Sequence, residues 1–419
     1  MDDQIVTGQR LPLYALFSAN AVSMVGNVMT MLAVPWFVLQ TTGSASQTGV
    51  AAFFTALPLV IAGIFGGAVV DRLGFKRMSV VSDIASGATV ACIPLLHLTV
   101  GIQFWQLLAL VFLGALLDTP GVTARRSMLP DLAEQAGMRL ERANAITSSI
   151  QRFATLVGPP AAGLLIAVMG ASNILWLNAG TFLISAALVK LFIPDVKREA
   201  DEGESGVGYF RDLLDTFHYI RSDRLIFSLI IAVGVTNFLE ALTVVVWPVL
   251  AERVYGGSAF ALGLILAGTG AGALMSAIAF GAIGHRLPRR ATFIGGFVTA
   301  AIPFGFIALF PLLPILVGLR VIQGFGAGPL NPILDTVFQE RVPAGMRGRM
   351  FGLIVSIAWI AIPLGSLASG YLIEFAGLRT TIVSIAIAYL TATLSMILIP
   401  ALREMERAES AITVSEPVA

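Results

Sequence analysis

An all-α membrane protein of 12 transmembrane helices, set in two pseudo-symmetric six-helix bundles, is what this chain encodes on three observations. Hydrophobic residues make up 57% of it and charged residues 12%, against roughly 45–50% and about 25% in soluble domains. Apolar runs of about 20 residues, each long enough to cross a hydrocarbon core, recur from end to end. Lys and Arg gather in alternate loops, which is how a polytopic chain sets its orientation. The 42 Gly and 20 Pro fit helices that pack closely inside a membrane.

In chain order the apolar segments fall at about 12–39, 47–70, 78–99, 103–123, 142–168 and 172–194. The second six fall at about 225–251, 258–284, 290–310, 313–336, 350–373 and 378–401. The first segment far exceeds the apolar core of a signal peptide, so it is expected to stay as the first helix. One set of loops carries Arg72, Lys76, Arg77, Arg125, Arg126, Arg139, Arg286, Arg289, Arg290, Arg341, Arg347 and Arg349. The alternate set carries only Arg253 and Arg379. The rich set is expected in the cytoplasm, which puts both termini inside.

The first six spans make an N-terminal bundle, 1–194. Asp195–Gly208 is acidic and poor in apolar residues, as a flexible linker is. After it Phe210, Leu213, Leu214, Phe217 and Ile220 recur at helical spacing among Arg211, Asp212, Asp215 and Arg221, so 195–224 is read as a cytoplasmic linker carrying an amphipathic surface helix. The second bundle covers 225–402, and 403–419 is expected to be a disordered cytoplasmic tail.

Gly67-Ala-Val-Val-Asp71-Arg72-Leu-Gly74-Phe-Lys76-Arg77 joins spans 2 and 3. Three cations and an acid between two apolar segments must lie at the water interface. The motif returns in the second half: Gly67, Arg72 and Lys76 match Gly281, Arg286 and Arg290 at one offset, with His285 in place of Asp71 and Pro288 in place of Gly74. At a slightly smaller offset Arg142, Gly158 and Gly163 match Arg349, Gly365 and Gly370. Such matches in the same loop order mark an internal repeat.

This loop resembles the one that joins helices 2 and 3 in the major facilitator superfamily, and the likeness covers nearly the whole chain. Pro35-Trp36, Thr42-Gly43-Ser44, Ser82-Asp83, Arg142-Ala143-Asn144, Gly158-Pro159, Phe217-His218-Tyr219-Ile220 and Arg347-Gly348-Arg349 are similar to the branch of enterobactin-type siderophore exporters and macrolide efflux proteins. The resemblance implies alternating access between two bundles and export, usually driven by protons.

On that basis Gly67, Asp71, Arg72, Gly74, Lys76 and Arg77 are a gating motif whose charges hold one conformation. Plain positive-inside anchoring is the alternative. Asp83 and Asp118 are expected near the same interface, paired with these cations or carrying protons. Glu240 is the sharpest proton-coupling candidate, because a carboxylate at mid-span is costly unless it faces a cavity or is protonated. Thr236 and Thr243 share its face and Asn237 lies one turn before it. The alternative is a Glu paired with an Arg that locks helices together.

Arg320 with Gln323-Gly324 resembles another transporter signature normally found in span 4. It is a cavity candidate or the partner of Glu240, and Arg152 carries the same two readings. Polar stripes mark further cavity candidates: Asn20, Ser23, Asn27 and Thr30 in span 1, and Asn144, Ser148, Gln151 and Thr155 in span 5. Hydrogen bonds that glue helices together would produce the same stripes. Exporters with an acid after the Gly in span 1 differ here, because Asn27 follows Gly26. Gly158, Pro159 and Gly163 make a helix-bend motif, or simply a close packing face.

The remaining signals are exclusions. Gly268-Thr-Gly270-Ala-Gly272-Ala273 spells a dinucleotide fingerprint but lies inside a membrane span with no strand before it. One cysteine, Cys92, allows no disulfide within the chain, and no cofactor or metal site is expected. The scattered cations argue against nucleic acid. The expected partners are a small-molecule substrate, protons and the lipid bilayer. The reading is therefore a monomeric secondary exporter of the bacterial inner membrane for a siderophore, macrolide or other amphipathic compound, not an enzyme. An importer or an uncoupled facilitator of the same fold is the first alternative, and a non-transporting membrane sensor the second.

Overall fold

The computed structural model describes residues 10–195, 218–307, 312–342 and 347–411, with the side chains at 59, 62–73, 285, 303, 347–358 and 407–411 outside the description. The helices in chain order are α1 (Arg10–Thr42), α2 (Ala45–Leu73), α3 (Phe75–Thr99), α4 (Phe104–Gln135), α5 (Leu140–Met169), α6 (Ala171–Phe192), α7 (Arg224–Val254), α8 (Ala259–Ile283), α9 (Arg289–Ile307), α10 (Leu313–Ala327), α11 (Leu330–Arg341), α12 (Arg347–Ala376) and α13 (Leu378–Leu398). Among the described residues, eleven helical segments are long and apolar enough to cross a membrane, α10 and α11 counting as one. The 29 residues of α2 cover the remaining expected span.

Local chemistry sets the boundaries. Ser44 ends the α1–α2 turn, its Oγ accepting from Gln47 N at 3.3 Å, one of the donors a helix start leaves unpaired. Gly74 turns α2 into α3 at φ +79, a conformation that costs any other residue a Cβ clash. Two boundaries differ from the sequence expectation. Span 4 was expected to end near 123, yet α4 runs on to Gln135, so Arg125 is a buried helical residue and not a loop cation. A carboxylate partner makes that burial tolerable. The expected span 313–336 is two helices, broken at Gly328–Pro329, because Pro329 has no N–H to give back to the preceding turn.

The chain forms two compact units, Met1–Gly203 with Trp247–Ala267, and Glu204–Val246 with Gly268–Ala419. In the first, Leu13, Leu16 and Phe17 of α1 pack on Met128, Leu129 and Leu132 of α4 and on Val189 of α6. Farther along, Gly163 of α5 meets Gly263 of α8, where an added Cβ would lie 2.9 Å from the Gly263 Cα. Lipid tails are as apolar as leucine, so close backbone approach of this kind holds membrane helices together. In the second, Leu225, Ile226 and Leu229 of α7 join Phe293 and Phe297 of α9 and Ile333 and Val337 of α11.

Residues 400–411 continue as a 3-10 helix, and its Leu402 and Met405 are buried in that same core. The stretch read as tail from 403 thus begins helical. Of the amphipathic surface helix, Phe210, Leu213, Leu214 and Phe217 lie outside the described residues. Tyr219 and Ile220 are helical, and Ile220 is buried.

Candidate functional site

A chain that places charge inside a membrane bundle must compensate it, and the first unit does so around Arg125, which is 1% exposed. Its Nη1 donates to both oxygens of Asp83, at 2.7 and 2.9 Å. Its Nε donates to Asn20 Oδ1 at 2.9 Å, and Nη2 to Ser23 Oγ at 3.3 Å. Ser185 Oγ donates to Asp83 Oδ2 at 2.7 Å, so α1, α3, α4 and α6 meet on one ion pair. Gly121 permits the approach, since a Cβ there would lie 2.8 Å from the Ser82 Cβ. Among the described residues, the cation that Asp83 pairs with is Arg125.

One helical repeat before Arg125, on the same face, stands Asp118. Asn27 Nδ2 donates to its Oδ2 at 2.8 Å, and Arg125 Nη2 stands 3.9 Å from Oδ1. Among the described residues, Asp118 Oδ1 is buried without a hydrogen-bond donor. Two acids share one cation, so among the described residues this cluster holds one carboxyl group more than it has cations. Asp118 opens onto a cavity of about 300 Å³ walled by Met24, Met31, Val34, Ile93 and Phe182, with Asn27, Gln151 and Asn178 as further polar groups. Mostly apolar walls with a few convergent polar groups suit a small amphipathic molecule.

The second unit holds a balanced counterpart. Gln323 Nε2 and Tyr389 Oη both donate to Glu240 Oε2, each at 3.1 Å. The Gln323 Oε1 accepts from Arg320, so the amide relays between the cation and the acid. Tyr389 also reaches Thr236 O at 3.3 Å and stacks on Phe304 with ring centres 5.5 Å apart. One acid and one cation cancel here. Thr236 and Thr243, which share the helix face of Glu240, turn their hydroxyls back to Ala232 O and Glu240 O on α7.

The other sequence candidates separate. In the span 1 stripe, Asn20 and Ser23 are helix glue, whereas Asn27 and Thr30 line the cavity, Thr30 accepting from Asn178 Nδ2 at 2.6 Å. Asn144 and Arg152 are exposed on α5, Gln151 reaches the cavity, and Asn237 is partly buried on α7. Gly158 packs against Val28 of α1, with Pro159 beside it in α5. Lys76 approaches Asp195 at 3.7 Å, and Arg77 is exposed. The side chains at Gly67, Asp71 and Arg72 lie outside the described residues. The fingerprint-like glycines of α8 serve packing: a Cβ on Gly272 would lie 2.7 Å from Phe325 N of α10.

Sequence reasoning missed Arg125, Tyr389, Ser185 and Asn178 as site residues. Arg125 carried a usable signal, because it follows Asp118 by seven residues, two turns along one face. Asn178 and Ser185 carried one too, standing seven residues apart in span 6 with Thr181 between them at helical spacing, whereas Tyr389 carried none.

The sequence model of the Major Facilitator Superfamily matches residues 16–246 and 229–416. The multidrug efflux pump Tap of Mycolicibacterium fortuitum is 31% identical over 405 residues, covering 96% of this chain and 98% of its own. A protein of the same name in Mycobacterium tuberculosis H37Rv is 32% identical over 406 residues, 96% of each chain. Macrolide efflux protein A of Streptococcus pyogenes is 21% identical over 376 residues, 88% of this chain and 91% of its own. Among solved structures, a point mutant of the nucleoside transporter NupG superposes with a TM-score of 0.77 at 14% identity, over 93% of this chain and 99% of that one. A bacterial homologue of the lysosomal transporter Spinster gives 0.72 at 14%, over 96% and 98%. At such identities the structural likeness speaks to fold alone.

Proposed function

This chain belongs to the Major Facilitator Superfamily, and from that premise we propose that it is a proton-coupled exporter of amphipathic, drug-like compounds across the bacterial cytoplasmic membrane. The names of its relatives, multidrug and macrolide efflux pumps, support the direction and the substrate class. The observation that carries the reading is the uncompensated charge at Asp118. Among the described residues, Asp118 shares the neighbouring cation, Arg125, with Asp83, and a carboxylate so placed within a membrane bundle is unfavourable until something neutralises it. A proton on Asp118 does so, and so does a cationic substrate in the adjoining cavity. Two neutralisers that exclude each other give antiport without further machinery. Asp83 is held by Arg125 and Ser185, and Glu240 sits in a balanced set, so both are assigned structural roles. Arg320 and Gln323 belong with Glu240.

The protein is proposed to work as a monomer with both termini cytoplasmic, the motif from Gly67 to Arg77 acting as a gate. The test is proton release from inside-out vesicles energised to be acidic inside, on adding cationic drugs, macrolides and siderophores. Wild type should release protons with at least one compound, Asp118→Asn should not, and Glu240→Gln should. Release lost in Glu240→Gln but kept in Asp118→Asn would move the coupling to the second unit. Substrate flux that an uncoupler leaves unchanged would make the protein a facilitator.

A further inference from the structure

Where α7 begins and α13 ends, the second unit carries a corner that the transport reading does not use. Arg221, Arg224 and Arg403 surround a pocket of about 550 Å³ whose floor includes Phe227 and Ile399. All three arginines are exposed. Among the described residues, no carboxylate lies within ion-pair distance of any of them. The two acids beside them are already engaged. Arg341 donates to Asp223 Oδ2 and to Glu404 Oε2, both at 2.7 Å. Asp223 Oδ1 also accepts from the N–H groups of Leu225 and Ile226, at 2.9 and 3.1 Å, capping α7. Among the described residues, four arginines stand against two acids here, an excess of positive charge.

The pocket does not end at the charges. Phe227, Ser228 and Ile399 also line a second hollow, of about 230 Å³, that runs on between α7 and α13. Its α7 wall is Phe227, Ile231 and Val235, one turn apart, and they are 45%, 51% and 43% exposed. Its α13 wall includes Ala392 and Ser395, whose small side chains leave the channel open. On spanning helices, exposed residues of this kind face hydrocarbon. A cationic mouth at the membrane interface thus leads into an apolar groove along the bilayer depth.

We propose that this corner binds one anionic phospholipid, its phosphate held by Arg221, Arg224 and Arg403 and one acyl chain laid between α7 and α13. Guanidinium groups match phosphate oxygens in geometry as well as charge, and basic pockets between membrane helices are where acidic headgroups settle. The loop charges assign this end to the cytoplasmic leaflet. The site stands apart from Asp118 and holds whichever substrate the protein carries.

The experiment titrates the purified full chain with phosphatidylglycerol or phosphatidylcholine and reads retained lipid by native mass spectrometry. Wild type should keep one phosphatidylglycerol in preference to phosphatidylcholine. The triple variant Arg221→Gln, Arg224→Gln, Arg403→Gln should bind it about a hundredfold more weakly, at about fivefold per cation. The triple Lys variant, which keeps the charge, should retain most of the preference. Ser395→Phe, which fills the groove and leaves all three charges, should weaken the lipid while leaving the binding of soluble glycerol phosphate unchanged. It keeps the test open if the Gln variant fails to fold.

An unchanged preference in the triple Gln variant overturns the proposal. An equal loss from Arg379→Gln, an exposed arginine at the other end of α13, overturns it as well. Glycerol phosphate bound as tightly as the lipid would remove the acyl-chain half and leave a plain phosphate site.

Discussion

Arg125→Met is the perturbation that most directly tests the first unit. The guanidinium spans Asp83, Asn20, Ser23 and Ser79, and Met fills its volume without a donor. What remains is Asp83 at 0% exposure with Ser185 as its side-chain donor. Removing one partner of a buried ion pair costs about 3–5 kcal/mol, because the other charge is left without compensation. At about 2–4 °C per kcal/mol for a unit of this size, the unfolding midpoint should fall by roughly 6–20 °C.

The informative comparison is the double variant Asp83→Leu, Arg125→Met. It removes both charges and returns the cluster to its original net charge, so it should recover at least half of the lost stability. Thermal unfolding of detergent-purified protein, followed by tryptophan fluorescence for all four members of the cycle, measures this. An Arg125→Met midpoint within about 2 °C of wild type would refute the reasoning, since 3 kcal/mol cannot hide in that interval. A double variant worse than the sum of its singles would refute it too, by showing that the two side chains do not compensate each other.

Three further outcomes follow from the same geometry. Tyr389→Phe removes a donor to the Glu240 carboxylate and should cost about 1.5–3 kcal/mol of stability by the same unfolding assay, without abolishing substrate-evoked proton release. Gly272→Ala drives a methyl against the α10 backbone and should cost about 1–3 kcal/mol. Gly281→Ala, with nothing within 4 Å, should be neutral and serves as its control. Glu340→Gln breaks the bond to Arg289 at 2.6 Å, but both side chains are about a third exposed or more, at 32% and 41%. Water screens them, and the change should stay under about 1 kcal/mol.

Much of the candidate site was legible in part. The stripe Asn20, Ser23, Asn27 and Thr30 has helical spacing, so its shared face could be read directly. Its division could not, because Asn20 meets Arg125 across 105 residues and Asn27 meets Asp118 across 91. Glu240 was conspicuous as a mid-span acid, yet its character depends on Gln323, 83 residues away, and Tyr389, 149 residues away. Arg125 was misplaced because a cation ends an apolar run in any sequence reading. In the folded chain Asp83, Asn20 and Ser23 surround its guanidinium, and these partners come from distant segments.

The sequence by itself determined the membrane class, most of the span positions and the alternation of charged segments. Each is a property of a local stretch of chain: enough apolar length to cross hydrocarbon, and cations at its ends to set the side. Tertiary structure alone decided which charges cancel. Arg125 is shared by two acids and Arg320 stands with one, so the first cluster has a carboxyl group in excess of its cation and the second does not. Compensation depends on distance in space, and at these depths the low dielectric makes a few ångströms the difference between a structural ion pair and an acid that needs a partner.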